Sequence, residues 1–462
     1  MFQFSIGITR KRILVLILAV ISVMLIDSTL VKYIAYSNEE LSRHTYVGIF
    51  ITFVIFFVGI SLVTLGFIER KEDDPKRKRG LALKNSYHII FLTQLSLIVL
   101  FAIIIYSVVV LQSYSILSLF AALYISHIPA LFFLMFLVLS LVEWIMVKKN
   151  RILLLYSLSF SLTALTIIIS LTYATIVLAH QESIVKPYPI HTSLYDLPRA
   201  DLAIYFGPTL DIISILSFIS VWIVSAFLLS TYIRRMGKVR YCIIIVLPLI
   251  YFLFPFETYF LNIFQPLMTS SPVTFAIINA LVLGATKQVG ALFFSIAFLI
   301  ASGLVAKHVV HKYLLISALG IAIFFGSLEI DSFLYATYPP FGLVTMSFMA
   351  MGSYLIYTGI INTAALVARD KELRKEFYRS AMSEYDLLKV IGISEMEKEL
   401  IKSYKAIDKR TRSLQKDSSF EKDRVKEALH GLVDEMDTEN AREILHEVLT
   451  EVYQKSRPKS KY

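Results

Sequence analysis

Long, uninterrupted apolar runs constrain the fold of this chain more than any other feature. Ten of them approach or exceed the roughly 20 residues that an α-helix needs to cross a bilayer core of about 30 Å. They lack the polar–apolar alternation of a membrane barrel strand, and a continuous apolar segment pairs all its backbone groups in lipid only as a helix. The predicted spans are residues 13–33, 45–68, 87–111, 116–147, 152–179, 202–233, 241–264, 289–306, 313–330 and 341–367.

The overall composition agrees with a membrane protein. Apolar residues make up 56% of the 462 residues and charged residues only 17%, whereas soluble domains contain about 45–50% and about 25%. An ordinary soluble enzyme, a disordered chain and a collagen-like chain are therefore excluded. The single cysteine, Cys242, excludes an intramolecular disulfide framework. We expect an all-α, polytopic transmembrane helix bundle of about ten spans (residues 1–367) followed by a cytoplasmic helical tail (residues 368–462).

The distribution of basic residues predicts the orientation of the spans. With the N-terminus inside, the cytoplasmic portions of the chain before residue 368 hold 19 Lys and Arg residues, and the extracellular portions hold five. The positive-inside rule places the more basic loops in the cytoplasm. Both termini are therefore expected to be cytoplasmic.

One apolar segment, residues 273–286, does not fit this simple arrangement. It is too short to span, and joined to 289–306 it would form a helix of about 50 Å, longer than one bilayer needs. Gly284, Lys287 and Gly290 mark a predicted break, which would make 273–286 an interfacial or re-entrant half-helix. A single tilted span with an extension is the alternative.

The tail is the only sizeable polar region. Its 21 basic and 20 acidic residues nearly cancel, which argues against a nucleic-acid partner, because such tails carry one sign of charge. Ser394-x-x-Glu397 and Ser418-x-x-Glu421 have the pattern of helix capping boxes, and apolar residues at helical spacing follow them. Short amphipathic helices must pack on something. They form a small bundle, or they bind a second copy of the chain or a cytoplasmic protein.

Ionisable residues within the spans are the candidate ligand-binding residues, since charge in a bilayer is costly and usually faces a cavity or a partner. In the predicted orientation Asp27, Asp211 and Glu257 lie toward the outer face, His127 lies near mid-depth, and Lys287 is a counter-charge. We predict an outward-facing polar pocket built from these five residues. The alternative is a set of structural hydrogen bonds and ion pairs between helices. No spacing indicates a metal site, a cofactor or catalytic residues.

Two segments resemble a known family. The run YPPFGLVTMS at 338–347 and the run DLLKVIGISEME at 386–397 are similar to segments of an uncharacterised multi-pass membrane protein family of ammonia-oxidising archaea. The resemblance covers little beyond residues 338–397. That family has no assigned activity and no defined functional residues, so the resemblance implies only an archaeal plasma-membrane location.

Three classes of function compete on these observations. A non-enzymatic sensor, signal-coupling or scaffold protein would use the outer pocket and the helical tail that follows the last span; this class is favoured. The alternative is a transporter of a small cation or polar solute through a pocket containing Asp27, Asp211 and Glu257. An enzyme is not expected, because the sequence offers no nucleophile or metal set. Membrane lipid is the one partner that the composition requires.

Overall fold

The computed structural model describes most of the predicted membrane domain. The described residues are 10–36, 43–69, 81–147, 151–181, 184–185, 201–230, 233, 237–247, 249, 263–267, 270–304, 310–328, 338–369, 392, 394–396 and 398. Within them the chain is almost entirely helical, as the apolar runs predict.

The described helices succeed one another along the chain. In chain order they are α1 (Arg10–Tyr36), α2 (Arg43–Glu69), α3 (Leu81–Tyr106, continued by a π-helical turn, Ser107–Leu111), α4 (Ile116–Val147), α5 (Arg151–Ala179), α6 (Asp201–Ser230), α7 (Lys238–Val246), α8 (Pro272–Leu304), α9 (Val310–Ser327), α10 (Leu343–Ser347) and α11 (Met349–Arg369). Two short strands pair antiparallel. β1 (Tyr114–Ser115) lies in the connection between α3 and α4, and β2 (Ile184–Val185) lies in the connection between α5 and α6.

Eight helical segments in the described part of the chain are long and apolar enough to cross a membrane. They coincide with eight of the ten predicted spans, so the chain is an integral membrane protein of the all-α class. The predicted span 241–264 lies mostly outside the described residues, and the predicted span 289–306 forms part of α8. The total of ten spans and the tail beyond residue 398 therefore stay predictions.

The predicted break in the segment from 273 to 306 is wrong. α8 runs without interruption from Pro272 to Leu304, 33 residues, through Gly284 and Gly290. A glycine inside a helix lowers its stability by about 1 kcal/mol but does not end it. α8 packs on α1 and α9, and the buried Gln288 side chain donates a hydrogen bond of 2.7 Å from Nε2 to Ser28 Oγ on α1. These tertiary contacts stabilise the continuous helix.

Two helices occupy the centre of the bundle. α11 packs on α9, α4 and α3, while α9 packs on α11, α8 and α1. In the most apolar stretch of each span, 94% of the residues of α10 and α11 and 89% of those of α9 are buried, whereas only 28% of the residues are buried in α3 and α6. Gly320 of α9 and Gly352 of α11 face each other, and a Cβ on Gly352 would lie 2.6 Å from the backbone nitrogen of Phe324. The two helix backbones are therefore in direct contact.

The chain divides into two compact units, Met1–Met396 and Glu397–Tyr462. The first unit contains all eight membrane-spanning segments and extends beyond the predicted boundary at residue 367. The second unit lies almost wholly outside the described residues, as does the predicted capping box at Ser418.

Candidate functional site

The most unusual element of the bundle is the segment that leads into α11, residues 338–348. It is here called the inner segment because all its residues are buried. It begins with a cis peptide bond between Tyr338 and Pro339, and Gly342 has φ +82°, a left-handed conformation that favours glycine. The short helix α10 follows, and Phe348 separates it from α11. Every residue from 338 to 350 is buried. An irregular backbone is tolerated at membrane depth only where protein surrounds it.

The carboxylate of Asp27 on α1 holds the start of α10. Its Oδ1 accepts a hydrogen bond of 2.9 Å from the backbone N–H of Gly342. Its Oδ2 accepts one of 3.0 Å from the backbone N–H of Thr345 and one of 2.8 Å from the Thr345 hydroxyl. Asp27 is completely buried. It therefore caps a helix that lies more than 300 residues away in the chain, and it satisfies N–H groups that the helix itself leaves unpaired.

The side chain of Ser126 on α4 holds the other end of α10. Its hydroxyl donates a hydrogen bond of 2.8 Å to the backbone carbonyl of Met346. The next residue, His127, is completely buried, and its Nδ1 lies 2.9 Å from the Leu123 carbonyl oxygen. A carbonyl can only accept, so Nδ1 carries the proton and Nε2 of the neutral ring has a free lone pair. That Nε2 is buried and has no hydrogen-bond partner among the described residues.

Aromatic rings surround the first residues of the inner segment. The ring of Phe341 lies against those of Tyr46, Phe50 and Phe53 on α2, with centroid distances of 6.3, 6.0 and 6.3 Å. Three edge-on contacts of this kind fix the ring in one position.

Tyr338 is held separately by the loop between α3 and α4. Its hydroxyl donates a hydrogen bond of 2.6 Å to the Val108 carbonyl in the π-helical turn, and its ring stacks on Tyr114 at 6.2 Å. Burial raises the pKa of Tyr114 well above its ordinary value of 10.0, and the neighbouring Tyr338 adds to the rise. Tyr114 is therefore a neutral, ordered part of this contact at physiological pH.

The five predicted ligand residues have different surroundings. Asp27 and the turn that carries Ser126 and His127 lie at the two ends of α10. Asp211 lies on α6 with an exposed side chain. Glu257 lies outside the described residues, and for Lys287 the structure describes the backbone within α8 but not the side chain. Convergence of all five in one pocket stays a prediction, while the described bonds of Asp27 have the helix-tying character of the structural alternative.

No cluster of three or more His, Cys, Asp or Glu side chains suited to a metal ion occurs in the described part of the chain. The polar chemistry of the inner segment consists of hydroxyl groups, backbone amides, one carboxylate and one imidazole. This set can hold a hydrogen-bonding ligand or fix a backbone conformation.

A second polar contact lies at the opposite end of the bundle. The indole N–H of Trp144, in the last turn of α4, donates a hydrogen bond of 2.5 Å to Oε2 of Glu395. Gly392 lies against Val367 in the last turns of α11, so closely that a Cβ would overlap the valine side chain. Residues 392 and 394–396, here called the docked segment, therefore contact the ends of both α4 and α11.

The predicted capping box pairs Ser394 with Glu397, which lies outside the described residues, so the box stays a prediction. Ser394 itself is helical. Its side chain is buried, and its hydroxyl has no hydrogen-bond partner among the described residues.

Sequence reasoning missed most of the partners at both ends. Thr345, Ser126, Trp144 and Glu395 carry no motif, and each is paired with a residue on another helix. The signals that were available are the Pro339-Pro340 pair, which marks a break before α11, and an aspartate in an apolar span. Neither identifies its partner without the fold.

Comparison of the chain with protein-family models, with curated proteins and with solved structures returns no match. The resemblance to an archaeal membrane family at 338–347 and 386–397 therefore stays a prediction.

Proposed function

We propose that this protein is a non-enzymatic sensor or signal-coupling protein of the plasma membrane, with both termini in the cytoplasm. The observation that carries the proposal is a continuous structural column. The inner segment leads directly into α11, and the last turns of α11 contact the docked segment. A change at one end of this column has a physical route to the other end.

The excess of basic residues in alternate loops supports the orientation of this column. In this orientation the inner segment, residues 338–348, lies toward the extracellular side of the bundle. The contact between Trp144 and Glu395 then lies at the cytoplasmic face. The pocket predicted from Asp27, His127, Asp211, Glu257 and Lys287 then becomes the receiving site. The unpartnered, buried Nε2 of His127 supports this role, since it is an acceptor that a hydrogen-bonding ligand would satisfy.

The packing of α11 supports transmission over a distance. Most residues of α11 are buried, and Gly352 lies against the α9 backbone at Phe324 without an intervening side chain. Close-packed interiors respond to displacement as rigid units rather than as soft material. A shift of α10 relative to Asp27 would therefore move α11 as a body and alter its contact with Gly392. The tail, bound to a second copy or a cytoplasmic protein, would carry the output.

The same packing argues against the transporter alternative. Alternating access requires helices around the substrate site to open to each side in turn. The backbone contact between Gly320 and Gly352 would have to separate in such a cycle. A sensor needs only a small displacement of the column.

A fluorescence experiment tests the proposal with the full chain in lipid nanodiscs. The chain contains two tryptophans, so Trp222→Phe leaves Trp144 as the sole indole, next to Glu395. Adding Asp27→Asn replaces one carboxylate oxygen with an N–H₂ group facing a backbone N–H. We expect a shift in Trp144 emission and faster quenching by acrylamide, although the change lies at the other end of the bundle. Thr52→Val is the control: this side chain is exposed on α2, outside the proposed pocket, and its hydroxyl donates to the Gly48 carbonyl of its own helix.

Two outcomes would overturn the proposal. In the first, the Asp27→Asn chain folds and hydrogen exchange rises only in residues 338–348, while Trp144 fluorescence stays unchanged. This result would show that the two ends of the bundle are not coupled. Solute flux in proteoliposomes that requires Asp27 would favour the transporter.

A further inference from the structure

The contact between α2 and α3 changes character along its length. Near the inner segment it is aromatic: the ring of Phe101 lies 6.5 Å from that of Phe50 and 5.1 Å from that of Phe57, which also contacts Phe348 at 4.8 Å. One helical turn beyond Phe57, the aromatic residues give way to Ser61 and Gln94.

Ser61 and Gln94 are both completely buried, and the Ser61 hydroxyl donates a hydrogen bond of 3.1 Å to Oε1 of Gln94. This bond satisfies only one end of the amide. The amide nitrogen, Nε2, is buried and has no hydrogen-bond partner among the described residues. Exchanging the amide oxygen and nitrogen does not cure the deficit, because the other end of the amide would then be unpaired.

A second unpaired group lies on the same face of α2. Thr64, three residues after Ser61, is 1% exposed, and its hydroxyl has no hydrogen-bond partner in the described part of the chain. Residues three apart lie on one side of a helix. Other threonines of these two helices donate to the carbonyl four residues earlier, as Thr52 does at 2.9 Å and Thr93 at 2.8 Å. Thr64 departs from this pattern.

We propose that Ser61, Thr64 and Gln94 form a buried hydration site that holds an ordered water molecule between α2 and α3. Buried polar groups are almost always paired, and an internal water typically makes two to four hydrogen bonds. The amide N–H₂ requires an acceptor, and the Thr64 hydroxyl takes either role. Water is the ligand that meets both needs without bringing a charge into the apolar interior.

Thermal unfolding of the full chain in lipid nanodiscs tests the site, because an occupied site and a dry one predict opposite signs. Thr64→Val keeps the shape of the side chain and removes the hydroxyl. If water bridges Thr64 and Gln94, the variant loses a hydrogen bond and its Tm falls by roughly 2–4 °C. If the site is dry, removing an unpaired hydroxyl leaves Tm unchanged or raises it. Thr93→Val is the matched control, because the Thr93 hydroxyl donates a hydrogen bond of 2.8 Å to the Ile89 carbonyl of its own helix.

A double-mutant cycle with Gln94→Met sharpens the result. Two residues that share one water lose it together, so the combined fall in Tm is smaller than the sum of the two single falls. Additive falls, or a rise for Thr64→Val relative to the control, would overturn the proposal.

A measurement on the unmodified chain covers the case in which a variant fails to fold. Solid-state NMR with ¹⁵N-labelled glutamine side chains detects magnetisation transfer from water to the Gln94 amide. The Gln94 signal is assigned as the one that disappears in Gln94→Met. If that variant does not fold, the signal is assigned by elimination among the glutamine amides that are buried. Rapid transfer at this buried amide supports the site. A Gln94 amide that receives no magnetisation from water would overturn it.

Discussion

The central helices and the peripheral helices of this bundle differ in opposite directions in burial and in hydrophobicity. In the most apolar stretch of each span, 94% of the residues of α10 and α11 are buried but only 28% of those of α3, which presents Leu92, Val99 and Ile103 outward. Yet the buried span is the less apolar of the two. In a soluble protein the more buried helix would be the more hydrophobic one.

The difference teaches what stabilises the centre. Lipid is as apolar as leucine, so burial of leucine between helices gains little, and close packing and interhelical hydrogen bonds matter more. The sequence of α11 follows this rule, with Gly352, Ser353, Thr358, Gly359 and Asn362 along its length. The periphery faces lipid tails and carries large apolar side chains instead.

Asp27→Ala acts where the central span begins, and we expect it to have one of the two largest effects on stability. The change leaves the backbone N–H groups of Gly342 and Thr345 without their acceptor, while the Thr345 hydroxyl keeps a longer hydrogen bond of 3.5 Å to the Met24 carbonyl. Each unpaired buried group costs about 1–3 kcal/mol, so we expect a loss of about 2–6 kcal/mol in unfolding free energy. Thermal unfolding in detergent measures it. Asp211→Ala, with an exposed side chain, should change stability far less; equal losses would contradict the capping role.

Gly352→Ala and Gly59→Ala compare centre and periphery with the same substitution. A Cβ on Gly352 would lie 2.6 Å from backbone, whereas one on Gly59 meets nothing within 4 Å. We expect the first variant to lose about 1–3 kcal/mol by overpacking. The second should gain about 0.5–1 kcal/mol, since alanine favours the helix. Two variants of equal stability, compared by thermal unfolding, would mean that α9 and α11 are not in backbone contact.

Glu395→Gln should have a smaller effect, confined to the docked segment. It replaces a charge-assisted acceptor of the Trp144 indole with a neutral one, a difference of about 1 kcal/mol. Trp144 emission on the Trp222→Phe background reports the change. In a double-mutant cycle with Trp144→Phe, measured by thermal unfolding, the combined loss of stability should be smaller than the sum of the two single losses. Full additivity would indicate that the two side chains do not interact.

The smallest effect is expected at the periphery. Leu92 is 63% exposed on α3, and Leu92→Ala should change the unfolding free energy by about 0.5 kcal/mol or less. Leu355→Ala on α11, at 1% exposure, should lose about 2–5 kcal/mol because it leaves a cavity. A comparison of the two unfolding temperatures checks the prediction, and a loss at Leu92 as large as that at Leu355 would show that α3 is not a lipid-facing helix.

Local pattern was enough to predict the helices but not the position of each in the bundle. The predicted span 341–367 corresponds to α10 and α11, because a long apolar run leaves the backbone no other choice in lipid. Nothing in that run indicates that this span lies at the centre of the helix bundle. The predicted break near Gly284 was wrong, because packing against α1 and α9 outweighs the weak helix propensity of glycine.

The candidate site shows the same division. Asp27 and His127 were singled out because ionisable groups in spans are unusual, and both are completely buried. Their partners were not predictable: Asp27 binds residues more than 300 positions away, and the acceptor of Trp144 lies beyond the last span. Such pairs depend on the arrangement of helices, which one sequence does not disclose.

The central claim is that α9 and α11 are shielded from lipid by the other helices. Cysteine labelling from within the bilayer tests it directly, on a chain whose only cysteine is removed by Cys242→Ser. Single variants Leu92→Cys on α3 and Ala350→Cys on α11 are exposed to a membrane-dissolved maleimide in lipid nanodiscs. We predict rapid labelling of Leu92→Cys and almost none of Ala350→Cys, whose position is 0% exposed. Equal labelling of the two positions in folded protein would contradict the account.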